Sequence, residues 1–270
     1  NSSISYHILK LKSLTRFRKR LVKNRTVFKE RLINILDIAF PEYSKHFTQV
    51  WGKVSFYILK NYPTAKDIAN INVEEVMTTI HSLSKGHYSM IKLMKLIETA
   101  KTSIGFKNDY HVLELQLTIN MIEQLDSSID KIENEIIEIM NQYNFKTATI
   151  PGIGIISAAS IVSEYEDFSK FQNPNQLLSF AGLEPAIYQS GTQQTYGHMV
   201  KRGSSYLRET IMNIIPYVMA YNSVFYEYYR KKKSEGKHHR VALTHLAKKL
   251  IRIIYHLETN NISFDSSKIK

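Results

Sequence analysis

Nine apolar side chains, Val112, Leu115, Ile119, Ile122, Leu125, Ile129, Ile132, Ile136 and Ile139, follow one another at steps of three or four residues. That spacing collects every one of them on a single stripe of an α-helix, whereas a strand would scatter them over both faces. The flanks are charged, with Glu114, Glu123, Asp126, Lys131, Glu133, Glu135 and Glu138. Residues 111–145 therefore read as a coiled-coil arm, either a helical hairpin within the chain or an intermolecular coiled coil. Asp126 and Asp130 stand four apart on one face, a spacing that a metal pair could use, but on such a helix it reads as a solvated face.

A second helical stripe precedes it. Leu14, Phe17, Leu21, Phe28, Leu32, Ile35 and Ala39 recur at helical steps until Phe40-Pro41, where proline disfavours helical geometry in the residue before it. Over residues 10–31 stand Lys10, Lys12, Arg16, Arg18, Lys19, Arg20, Lys23, Arg25, Lys29 and Arg31, opposed there only by Glu30. Ten cations against one anion point to phosphate contact, with Arg16, Arg18, Lys19, Arg20, Lys23 and Arg25 as candidates. Residues 42 to 110 read as several short helices, with Thr64 or Asn72 as caps and Gly86 and Gly105 as breaks. No reactive constellation stands out there.

Charge and composition agree with a polyanionic partner. Lys and Arg outnumber Asp and Glu by 36 to 24, for a formal net charge of +12. Neutralised phosphates release condensed counterions, so such a surplus suits nucleic acid, although it also suits a membrane surface. No run approaches the length of a spanning helix, and with no cysteine disulfides and thiolate metal sites are excluded. A cytoplasmic protein is the simplest expectation. Residue 1 is Asn rather than Met, which suggests a chain processed or cut from something longer.

The last third carries the chemistry. Ile150-Pro151-Gly152-Ile153-Gly154 precedes a small-residue apolar helix with Ala158, Ala159, Ile161 and Val162, the pattern of a helix-hairpin-helix turn. Gly152 and Gly154 would allow tight turning, and the amides opening the next helix would favour phosphate. The alternative is a plain helix–helix turn. Glu164, Glu166 and Asp167 flank the end of that helix and read as solvated.

From Ser179 to Arg208 the chain reads as a polar loop, rich in hydroxyls and glycine, that enters a new helix. It contains Ser190-Gly191, Gly197-His198, Lys201-Arg202-Gly203-Ser204-Ser205 and Leu207-Arg208. A serine beside cations is what phosphoryl transfer needs, an oxygen to attack phosphorus and positive charge to hold the equatorial oxygens; a loop of phosphate-binding serines is the alternative. His198 could orient a phosphate. Further on, Tyr217, Tyr221, Phe225, Tyr226, Tyr228 and Tyr229 lead into Arg230-Lys231-Lys232-Lys233 and Lys237-His238-His239-Arg240. Aromatics interleaved with cations suit single-stranded nucleic acid, while a buried aromatic face ending in a basic loop would leave the same trace. The adjacent His238 and His239 lack useful metal-ligand spacing.

The order of these motifs resembles the DEDD transposases of bacterial insertion sequences, a family that includes pilin-gene inverting and bridge-RNA-guided recombinases. The matching residues are Pro151-Gly152-Ile153-Gly154, Phe168 to Asn175, Phe180-Ala181-Gly182-Leu183-Glu184-Pro185, Ser190-Gly191, Gly197-His198, and Lys201-Arg202-Gly203 with Leu207-Arg208. The basic segment Leu21-Val22-Lys23-Asn24-Arg25-Thr26 resembles the stretch just after the catalytic acids in those proteins.

The resemblance implies a DNA transposase or recombinase chain, with element ends and target DNA as partners, a guide RNA in the bridge-RNA-guided members, and a homo-oligomer. It implies a serine nucleophile, best matched by Ser190, with Ser204 as competitor. Gly152, Gly154, Lys201, Arg202, Arg208, Lys231 and Lys232 join the basic helix as nucleic-acid-binding candidates. The family's amino-terminal RNase-H-like domain, whose four acids bind divalent metal, has no counterpart here, so no metal site is expected and Mg²⁺ belongs with that domain. A non-catalytic nucleic-acid-binding module or an inactive remnant is the rival reading.

The expected fold is all-α: a basic helical region over residues 1–110, the coiled-coil arm over 111–145, a compact helical C-terminal transposase domain with a helix-hairpin-helix element over 146–260, and a tail over 261–270.

Overall fold

Apolar stripes at helical spacing make helices almost everywhere, and the architecture is all-α with one two-stranded hairpin among the described residues. The computed structural model describes residues 2–106, 109–190, 193–199 and 202–268. In chain order the helices are α1 (Ser2–Ala39), α2 (Lys53–Asn61), α3 (Ala65–Ala69), α4 (Val73–Ser84), α5 (Met90–Lys101), α6 (Asp109–Gln142), α7 (Ile155–Tyr165) and α8 (Pro174–Phe180). Strands β1 (Pro185–Ser190) and β2 (Gln193–Met199) come next, then α9 (Ser205–Tyr221), α10 (Ser223–Ser234) and α11 (His239–Asn260).

The chain folds into two compact units, Asn1–Arg18 with Lys131–Lys270, and Lys19–Asp130. In the second of these, Leu32, Leu36, Tyr43, Ile58, Leu59, Leu93, Leu96, Ile119 and Ile122 form a core in which each is at most 1% exposed. Its short helices begin where the sequence places their starts. Thr64 and Asp67 form a reciprocal capping box on α3, and Asn72 caps α4 through the Glu74 amide, satisfying donors that a helix start otherwise leaves open. Gly86, at φ +81°, separates α4 from α5. Gly105 lies so close to the Ala39 carbonyl that a Cβ would stand 2.2 Å from its oxygen.

The other unit gathers the start of α1, the end of α6 and α7–α11 around Leu11, Ile136, Ala158, Ala159, Ile161, Leu177, Leu207, Ile211, Ile215, Phe225, Leu246, Leu250 and Ile254. Small residues on α7 let it pack closely against α9, and α11 lies across α8, α9 and α10.

Six of the nine seam residues of α6 are buried within the chain: Leu115, Ile119 and Ile122 enter one core, Ile136 and Ile139 the other, and Ile129 is 3% exposed, while Val112, Leu125 and Ile132 are half-buried. Asp126, one of the pair read as a solvated face, holds the Arg25 guanidinium at 2.6 Å.

The stretch read as a polar loop after α8 forms the hairpin. Ile187 pairs with Tyr196, Tyr188 with Thr195 and Ser190 with Gln193, with an irregularity between Pro185 and Ile187. Four of the paired positions, Ile187, Tyr188, Thr195 and Tyr196, are residue types that favour strands. The helical periodicity that dominates the chain gives no cue for them.

Candidate functional site

At the foot of the hairpin, backbone geometry leaves little choice of residue. Gly203 adopts φ +117°, and a Cβ there would come within 2.3 Å of the Phe180 carbonyl oxygen, so only glycine fits. The next residue, Ser204, donates its amide to that same Phe180 oxygen at 2.9 Å. Its hydroxyl caps α9 by accepting the Leu207 amide at 3.1 Å. On the same side, the Arg208 guanidinium donates to the Ala181 carbonyl oxygen at 3.3 Å. The chain entering α9 from the hairpin is thus tied to the end of α8, from which β1 departs.

The tie continues inward to a buried carboxylate. Ser204 Oγ donates to Glu164 Oε2 at 2.6 Å. Arg16 holds Glu164 with two bonds, Nε to Oε1 at 2.7 Å and Nη2 to Oε2 at 3.0 Å. The Arg16 guanidinium also lies 4.8 Å from the centre of the Tyr206 ring, a cation–π contact.

Glu164 is 2% exposed, which corrects the sequence expectation of a solvated acid. It sits near the end of α7, where a helical face that looks terminal in sequence turns inward against α1 and α9. Burial alone would raise its pKa, but the hydrogen bonds from Arg16 and Ser204 outweigh that and hold it below the usual carboxylate range. A carboxylate so held stays ionised and keeps its partners in place. Its neighbour Glu166 pairs with Lys12 at 2.6 Å, and Asp167 caps the following turn through the Ser169 amide; these two acids are also engaged.

The turn at Pro151–Gly154 shows two glycines with different roles. Gly152 has φ +92°, and a Cβ on it would meet the Val218 Cα at 2.6 Å and the Tyr217 carbonyl group at 2.7 Å. Gly154 has an ordinary φ of −72° and open space around it. It stands at the N-cap of α7, where no side chain caps the helix, so the first amides of α7 are left to other acceptors.

The candidate cations divide sharply. On α1, Arg16 and Arg18 are ion-paired to Glu164 and Glu133, and Arg25 to Asp126. Lys19 and Arg20 have interactions of their own, and Lys23 is exposed. Arg202 is exposed at the foot of the hairpin. On α10, Lys231 is exposed, while Lys232 pairs with Glu235 at 2.8 Å and lies 5.3 Å from the Tyr228 ring centre. Lys201 lies outside the described residues, as do the side chains of Ser190 and His198; the backbone of Ser190 is described as the last residue of β1.

The aromatic run also splits. Phe225 is fully buried and Tyr228 and Tyr229 are half-buried, whereas Tyr217, Tyr221 and Tyr226 are exposed. Sequence reasoning missed the Arg16–Glu164–Ser204 network, because residues 148 and 40 positions apart carry no local pattern. Among the described residues no three His, Asp or Glu side chains are grouped as metal ligands. No helix among them is long and apolar enough to cross a membrane.

Comparison with known proteins adds to this geometry. Residues 146–230 match the sequence profile of the family described as Transposase IS116/IS110/IS902 family. The chain is 25% identical over 254 residues to the uncharacterized 44.8 kDa protein of insertion element IS116 from Streptomyces clavuligerus, an alignment covering 91% of this chain and 62% of that protein. It is 27% identical over 159 residues to the pilin gene-inverting protein of Moraxella lacunata, covering 55% of this chain and 48% of that one. It is also 29% identical over 90 residues to the transposase for insertion sequence element IS1111A of Coxiella burnetii, covering 33% and 25%. The chain therefore spans less than two thirds of the length of each of these relatives. The profile begins just before the Pro151–Gly154 turn and ends at Arg230, so it takes in the hairpin, Glu164 and Ser204.

Proposed function

We propose that this chain is the DNA-handling part of a transposase or recombinase, and that Ser190 on the β1–β2 hairpin is its nucleophile. The observation that carries the reading is the rooting of that hairpin: Gly203, Ser204 and Arg208 tie its exit to the end of α8, and Glu164 and Arg16 hold Ser204 from below. A nucleophile has to be held against the reacting atom, and a short ribbon with a fastened foot provides such a mount. In the step proposed, Ser190 Oγ forms a bond to a DNA phosphorus and its proton leaves. The phosphorus–oxygen bond to one side of the strand breaks, and the departing sugar oxygen takes up a proton. Arg202 and Arg208 supply positive charge toward the phosphate oxygens. Element ends and target DNA are the proposed substrates, a guide RNA is a further proposed partner, and a homo-oligomer is the proposed assembly.

A second reading has one specific observation in its favour. Ser204 donates to a buried carboxylate that a third group, Arg16, orients, and nucleophile, base and orienting group form a recurrent catalytic arrangement. Against it, the Glu164 carboxylate is stabilised in its ionised form and is a poor acceptor for a proton, and the Ser204 hydroxyl is already used as a helix cap.

Strand exchange by the chain joined to an acid-bearing upstream domain tests both. Ser190→Ala is expected to abolish exchange and the covalent protein–DNA adduct while DNA binding persists. Ser204→Asn keeps a capping side chain and is expected to retain exchange. The reverse pattern would transfer the nucleophile's role to Ser204. Binding without an adduct in the unsubstituted protein would leave a non-catalytic module.

A further inference from the structure

Three large rings of α9 and α10 stand in water. Tyr217 and Tyr221, one helical turn apart on α9, are 61% and 71% exposed, and Tyr226 on α10 is 49% exposed. The α9 segment that carries Tyr217 adjoins the Pro151–Gly154 turn, because Gly152 packs directly on the backbone of Tyr217 and Val218. Beside Tyr221 opens a cavity of about 360 Å³ lined by Thr149, Pro151, Tyr221, Asn222, Ser223 and Asp265, among others.

Asn222 makes this cavity more than a surface dimple. It is 6% exposed. Its Oδ1 accepts the Val224 amide at 3.0 Å and so caps α10, but its Nδ2 has no hydrogen-bond partner among the described residues. A buried amide donor without an acceptor is costly and uncommon in folded proteins. A ligand offering a carbonyl or ring-nitrogen acceptor would relieve that cost.

A flat apolar face to cover, an acceptor edge for Asn222, and uncapped helix amides nearby describe one class of ligand. We propose that Tyr221 and Asn222 form a docking site for an unpaired base of a nucleic-acid strand. The base stacks on the Tyr221 ring, with Tyr217 continuing the platform, and its edge accepts from Asn222 Nδ2. The adjoining phosphate passes the Pro151–Gly154 turn toward the first amides of α7. In a duplex both faces of a base are already stacked, so the site selects single-stranded or locally opened nucleic acid. The proposal rests on the reading of this chain as a nucleic-acid-handling protein and adds the state of the strand it takes.

The test uses the full 270-residue chain and one short oligonucleotide sequence prepared as single-stranded DNA, as RNA and as DNA duplex, with 2-aminopurine placed at successive positions. Stacking is expected to quench the probe at one or two positions of a single strand. Tyr221→Ala is expected to weaken single-strand binding about tenfold and restore the fluorescence, with Tyr221→Phe close to the unsubstituted chain. Asn222→Ser, which keeps a capping oxygen for α10 and removes the amide donor, is expected to act in the same direction as Tyr221→Ala, and duplex binding changes little in all three. Tighter binding of DNA or of RNA supports the site either way and names the strand. Equal affinity of Tyr221→Ala and the unsubstituted chain for the single strand, or equal losses on single strand and duplex, overturns the site while leaving DNA handling intact. Failure of the unsubstituted chain to bind any of the three overturns both.

Discussion

Two stretches of this chain look alike as strings of charge and differ as structures. Between Lys10 and Arg25 on α1, Lys10, Lys12, Arg16, Arg18 and Arg25 are each paired with a carboxylate of the same unit: Glu135, Glu166, Glu164, Glu133 and Asp126. Between Arg230 and Arg240, around the end of α10 and the start of α11, Arg230, Lys231, Lys233, Lys237 and Arg240 are exposed, and Lys232 has Glu235 as partner. The first stretch uses most of its positive charge to fasten helices together, with Lys23 left exposed. The second offers it to solvent and to whatever polyanion arrives. A cation's meaning therefore depends on the carboxylates that folding brings to it, which a count of ten cations against one anion between Lys10 and Arg31 cannot include.

The largest effect expected from this contrast is on stability. Arg16→Ala would leave Glu164 buried with Ser204 but without its main partner, and because the Arg16 side chain is itself 37% exposed the loss is expected at about 3 kcal/mol, the low end for breaking a buried pair. Chemical denaturation should show that loss. A change below about 1 kcal/mol, the range of an exposed pair, would mean that Arg16 belongs with the outward-facing cations after all.

A smaller loss separates the two glycines of the 151–154 turn. Gly152→Ala forces a side chain into φ +92° and against the Val218 backbone, and a strained residue of this kind costs about 1–3 kcal/mol. Gly154→Ala meets open space and should shift the melting temperature far less. Equal shifts in the two melts would show that the turn is not held as described.

The smallest structural effect carries the clearest electrostatic signal. Replacing Arg230, Lys231 and Lys233 by Ala should leave the melting temperature nearly unchanged. The slope of log affinity for duplex DNA against log salt should become shallower by about one for each phosphate that a removed cation had neutralised. The paired Lys10 and Lys12, replaced by Ala, should leave that slope where it was. If the α1 pair lowers the slope and the α10 set does not, the comparison is inverted.

Much of the helical framework was legible in the chain itself. The stripe from Val112 to Ile139 lies within α6, Phe40-Pro41 marks the end of α1, and Thr64 and Asn72 cap helices as their side chains suggest. These are local matters, decided by spacing and by hydrogen bonds within one turn of backbone. The ordered motifs from Pro151 to Arg208 were legible as well, because a glycine forced by close approach leaves its mark at one position.

What only the tertiary structure decided is who meets whom. The β1–β2 ribbon, the inward turn of Glu164 to Arg16 and Ser204, and the sorting of Phe225 inward and Tyr221 outward depend on residues far apart in the chain. The free energy that places them comes from burial and from pairing across that distance. Periodicity predicts which face of a helix is apolar; it takes the packed neighbours to say which charge is neutralised, which hydroxyl is a cap and which ring is left facing water.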